Sequence, residues 1–117
     1  MQGKRTDRVG HLVQMELSQL ILTKIRDPRL GFVTVTHVDM TQDLKSALVF
    51  YSVLGDTEKR QGSQAALEHA TGFLQKAIAA TLKLRYTPKL RFQFDDSLNQ
   101  GFEIDRLLQA IQKEETS

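Results

Sequence analysis

Apolar residues recur along the first quarter of the chain at helical spacing. Val9, Leu12, Val13, Leu17, Leu20, Ile21 and Ile25 follow the i, i+3, i+4, i+7 rule, which predicts a helix over residues 6–26 with Thr6 as its N-cap. Asp27-Pro28-Arg29-Leu30-Gly31 ends it, because Pro28 lacks an amide proton and disfavours helical backbone at Asp27. The period then changes to two. Phe32–Met40 and Leu44–Val53 are rich in β-branched and aromatic residues, are separated by Thr41-Gln42-Asp43, and predict an antiparallel hairpin. Helical spacing returns after Gly55-Asp56-Thr57, first through Ala65, Ala66, Leu67 and Ala70, then on a rotated face through Phe73, Leu74, Ala77, Ile78 and Leu82. The break falls at Thr71-Gly72, so two helices, 56–70 and 72–84, are expected to meet there at a glycine kink. Thr87-Pro88 stops the second of them. Lys89–Asp95 alternates, with Leu90, Phe92 and Phe94 inward and Arg91 and Gln93 outward, as in a half-buried strand. Ile104, Leu107, Leu108 and Ile111 predict a last helix over 99–113.

The resulting order is αββααβ plus a C-terminal helix, an α+β architecture with a three-stranded sheet and helices on one face. A strand reached from the hairpin through helices is expected to run parallel to one of its partners by a right-handed crossover. Tyr51 and Phe50 lie on opposite faces of their strand, so at most one can join an exposed stacking platform. A chain of 117 residues fits one domain, placed at residues 6–113 with loose ends at 1–5 and 114–117. The absence of cysteine excludes a disulfide framework and a thiolate metal site. A polar start and the lack of any long apolar run lead to the expectation of a cytoplasmic protein that meets no membrane.

Charge adds what periodicity does not. The net charge is only +2, yet residues 69–94 carry Lys76, Lys83, Arg85, Lys89 and Arg91 without one acid, while residues 95–117 hold six acids against Arg106 and Lys113. A local basic run suits a phosphate backbone, and a glycine permits close backbone approach to it. Arg5 and Arg8, three apart on the first helix, can add to the same basic edge. Arg29 can serve a phosphate or anchor its turn through Asp27, and Gly72 reads either as a contact site or as a helix cap or packing position. An enzyme finds less support. His11, His37 and His69 lack the spacing that would place two imidazoles on one metal, and Asp95-Asp96-Ser97 reads as capping for the last helix. No phosphate-binding loop, nucleophile elbow or cofactor fingerprint is present.

Ordered residues along nearly the whole chain carry a resemblance. Arg5-Thr-Asp-Arg-Val9, Ile25-Arg-Asp-Pro-Arg-Leu-Gly31, Val33-Thr-Val-Thr36, Asp43-Leu44 with Ala47 and Val49, Ala70-Thr71-Gly72, and then Pro88, Leu90, Phe92, Asp95, Ser97, Gly101, Ile104, Leu107 and Leu108 together resemble the bacterial ribosome-binding factor A family. The resemblance implies a type II KH-like fold and a non-enzymatic assembly factor without cofactor or metal. Such a factor binds the free small ribosomal subunit and its ribosomal RNA, assists late maturation of that RNA near its 5′ end, leaves before translation, and is associated with growth in the cold. A monomer is expected, with an assembly GTPase as a further candidate partner. A standard KH domain clamps nucleotides with a Gly-x-x-Gly loop; this chain has Ala70-Thr71-Gly72 there, so the RNA surface is expected at Ala70, Thr71, Gly72, Lys76, Lys83 and Arg85, joined by Arg5, Arg8 and Arg29. The competing reading is an α+β protein–protein adaptor whose basic residues only solubilise it. Binding that survives high salt would mark the adaptor.

Overall fold

The computed structural model describes residues 3–95 and Ile111. Five elements follow in the order α1 (Gly3–Lys24), β1 (Phe32–Met40), β2 (Ser46–Leu54), α2 (Thr57–Leu82) and β3 (Lys89–Phe94). The sheet order is β1-β2-β3, with β1 antiparallel to β2 and β3 parallel to it, as the crossover argument requires. Strand parity sorts the core. Ala47, Val49 and Tyr51 of β2 join Leu90 and Phe92 of β3 against Val13, Leu17 and Ile21 of α1 and Leu67, Leu74 and Ile78 of α2.

Several features differ from the sequence expectation. α1 begins at Gly3, so Thr6 lies inside the helix rather than capping it, and Arg5 belongs to the helix. β2 begins at Ser46 because Leu44 takes a left-handed turn conformation (φ 63°) and Asp43 ties that turn, its carboxylate accepting from Thr41 Oγ1 at 2.7 Å and from the Lys45 amide at 3.0 Å. The expected pair of helices is one: α2 runs through Thr71-Gly72 without interruption, and Gly72 is not among the residues with positive φ. Finally, helices on one face do not account for the whole sheet. Leu48 and Phe50, which alternate with the core residues of β2, cluster with the helical, buried Ile111. Both Phe50 and Tyr51 are therefore buried, and neither forms an exposed stacking platform. The rest of the expected 99–113 helix, with Asp96 and Ser97 as its caps, lies outside the described residues; Asp95 accepts a hydrogen bond from Thr36 Oγ1.

Two devices fix the layers. Between Val35 and His37 the register of β1 shifts by a bulge at Thr36, which is why the buried residues Val35 and Val38 are three apart in a strand of period two. The free edge of β3 is closed by glutamines of α2: Gln75 Oε1 accepts from the Leu90 amide at 2.9 Å, and Gln64 Nε2 donates to the Phe92 carbonyl at 3.0 Å. Tyr51 donates its hydroxyl to Gln64 Oε1, and burial pushes its phenol up to about 12. Among the described residues, no helix is long and apolar enough to cross a membrane.

Candidate nucleic-acid interface

The exposed side of α2 follows from its buried side. With Leu67, Leu74 and Ile78 in the core, His69, Gly72, Phe73, Lys76 and Lys83 are left on the outer side at positions that recur every three, four or seven residues. The helix ends on a lysine. Lys83 takes the left-handed conformation (φ 54°, ψ 46°), its amide bonding to the Ala79 carbonyl, and the Leu84 amide reaches the same carbonyl at 3.0 Å. That reversal brings Arg85 and Tyr86 beside the start of α1.

There a cleft of about 440 Å³ is lined by Arg5 and Val9 from α1, by Lys83, Arg85 and Tyr86, and by the hairpin turn at Gln42–Leu44. Its chemistry is cationic with one aromatic face. Tyr86 is 44% exposed, with Lys45 Nζ 4.7 Å and Arg85 Cζ 5.4 Å from its ring centroid, so two cations are held over its π-face. Asp43, the acid of this wall among the described residues, accepts at Oδ1 from the Thr41 hydroxyl and the Lys45 amide, bonds that hold it below the usual carboxylate range, so it stays ionised and offsets part of the charge of the three cations. Sequence patterning singles out neither Lys45 nor Tyr86. An aromatic directly following Arg85 is the available signal for Tyr86; Lys45 reaches the Tyr86 ring only because the hairpin turn folds beside the end of α2.

The structure brings some expected residues together and separates others. Arg5, Lys83 and Arg85 share the cleft; Arg8 and Lys76 lie on α1 and α2 outside it. Arg29 stands at the opposite end of the helix pair, since Arg5 and Lys24 are about 30 Å apart along α1. It is engaged in a two-pronged pair with Asp27, Nε to Oδ1 at 3.1 Å and Nη2 to Oδ2 at 2.7 Å, as the turn-anchor reading requires. The hydrogen bond from Arg29 holds the Asp27 carboxyl down at about 2. Within the triplet, Ala70 packs against the core, and Thr71 Oγ1 donates to the Leu67 carbonyl at 2.9 Å. Only Gly72 presents open backbone: a Cβ added there would meet nothing within 4 Å. Among the described residues no group of three or more histidines and carboxylates could hold a metal ion.

Comparison with known proteins gives a consistent picture. The family model for ribosome-binding factor A matches residues 5–108. A ribosome-binding factor A from Halothermothrix orenii is 43% identical over 117 residues, covering 100% of this chain and 96% of that one. The crystal structure of ribosome-binding factor A from Thermus thermophilus superposes with a TM-score of 0.67 at 25% identity, covering 75% of this chain and 93% of that one. A Thermus thermophilus homology model fitted into a cryo-EM map of a 30S–RbfA complex gives a TM-score of 0.60 at 26% identity, with coverage of 71% and 87%.

Proposed function

The chain belongs to the ribosome-binding factor A family, and from that premise we propose that it is a non-enzymatic assembly factor that binds the free small ribosomal subunit through ribosomal RNA. The observation that carries the RNA contact is the cleft in which Arg5, Lys83 and Arg85 surround the exposed Tyr86, three cations against the one acid Asp43. Cations there contact phosphates and release counterions, and Tyr86 holds Lys45 and Arg85 in place for them. The fold's relationship to the protein fitted into a 30S–RbfA complex supports the same partner.

On this reading the factor works in the cytoplasm as a monomer. It favours one fold of the small-subunit RNA near its 5′ end by binding that fold better than its competitors, which is all a non-covalent factor can do to an equilibrium. The effect matters most in the cold, where misfolded helices rearrange slowly, and an assembly GTPase is a suitable agent of release. Sedimentation of the full chain with separated ribosomal subunits at two salt concentrations tests the proposal. Co-migration with the free small subunit at low salt, abolished at high salt, is expected; binding indifferent to salt would replace it with the adaptor reading, in which apolar contacts dominate.

A further inference from the structure

A second cleft, of about 560 Å³, opens at the other end of the helix pair, where the loop after α1 crosses the middle of α2. It is an open depression rather than an enclosed pocket, wide enough for a small planar group to lie against its floor. The apolar lining comes from Phe73, Ile25 and Ala70. Phe73 is 51% exposed, an unusual position for a phenylalanine one residue beyond the open backbone of Gly72. Lys24 and Arg26 stand on the rim, and neither makes an ion pair among the described residues. Asp27, the carboxylate in the wall among the described residues, is taken by both prongs of Arg29, which leaves the cleft an uncompensated excess of positive charge.

We propose that this cleft receives a single unpaired base of the small-subunit RNA, stacked on Phe73 with its flanking phosphates at Lys24 and Arg26. The proposal rests on the RNA-binding reading above and adds a nucleotide subsite to it. A half-exposed ring supplies the stacking face, which a base within a duplex cannot reach, and two cations without an ion pair among the described residues supply the phosphate contacts that an apolar protein side chain would not need. The exposed stripe of α2 connects the two clefts. Gly72 and Lys76 lie on the same side of the helix as Phe73 and Lys83, so one RNA strand can run from the middle of α2 to its C-terminal end.

The test uses the full chain and purified free small subunits. Phe73→Ala should weaken binding about tenfold, the scale of one base stack, without changing the salt slope, because no charge is removed. Phe73→Tyr should bind as the wild type does, and both variants should melt with it, since the ring is half in solvent. Ultraviolet cross-linking of the wild-type complex should join an RNA base to the peptide containing Phe73. Unchanged affinity of Phe73→Ala overturns the inference, as does weakened affinity accompanied by cross-links from Lys24 to a ribosomal protein and none from Phe73 to RNA. Wild-type binding that ignores salt would overturn the RNA reading itself and this subsite with it; failure confined to the Phe73 arm removes the subsite alone.

Discussion

Phe92 occupies its place through strand parity: Arg91 and Gln93 are exposed on either side of it, and it shares the core with Leu67, Leu74 and Tyr51. Replacing it by alanine removes a buried ring from a close-packed interior and should cost about 3–5 kcal/mol, read as a lowered midpoint of denaturant unfolding. An unchanged midpoint would place the ring outside the core. Asp27 makes a different prediction. Its carboxyl is lowered from 3.8 to about 2 by the Arg29 guanidinium, so its contribution to stability is present above pH 4 and disappears as pH falls through 2. Titration of the Asp27 carboxyl by NMR should give a midpoint near 2, and Arg29→Ala should raise it only part of the way toward 3.8, because the amide of residue 29 still donates to Oδ1 at 2.9 Å. Both roles are legible in the sequence, one from alternation and the other from an arginine two residues after an aspartate. The place of Lys45 over Tyr86 is not, because it depends on a hairpin and a helix end that are 41 residues apart in the chain.

At the scale of elements, the strands are the most legible parts. Phe32–Met40 stands as the sequence pattern places it, but the bulge at Thr36, which a plain period of two does not foresee, sets Val35 and Val38 three apart on the buried face. The single helix α2 departs from the pattern's two because a glycine in a helix costs only about 1 kcal/mol relative to alanine, which packing of Leu67, Leu74 and Ile78 on both sides of Gly72 readily outweighs. Glycines in the two main helices consequently carry opposite predictions. At Gly10 a Cβ would stand 2.8 Å from the Val38 carbonyl oxygen, a backbone atom held in β1, so Gly10→Ala should destabilise the domain by about 1–3 kcal/mol. At Gly72 the space is open, and Gly72→Ala should stabilise it by about 0.5–1 kcal/mol. Thermal unfolding of both variants decides between these signs. Should Gly72→Ala raise the melting temperature while weakening subunit binding, the glycine is kept for close approach of RNA; unchanged binding would reduce it to a tolerated helix residue.

Across the whole molecule, charge is arranged more informatively than its total. A net +2 would predict weak attraction to a polyanion, yet Arg5, Lys83 and Arg85 are gathered in one cleft, Lys24 and Arg26 rim another, and Lys76 lies on the outer side of α2 that connects them. The sequence discloses the basic run but not that Lys24 and Arg26 form a second basic site against the middle of α2, since that follows from α1 packing beside α2. Removing three of these charges separates surface chemistry from folding. Lys76→Gln, Lys83→Asn and Arg85→Gln together leave the core untouched, and asparagine accepts the left-handed backbone that residue 83 must adopt. The triple variant should therefore melt within a few degrees of the wild type. Its affinity for free small subunits should fall, and the slope of log affinity against log salt should flatten by roughly 0.7–0.9 for each phosphate that is no longer neutralised. A triple variant that binds with unchanged affinity and unchanged slope would make these lysines and the arginine a solvated face, and the apolar adaptor would then be the better account of how this fold meets the ribosome.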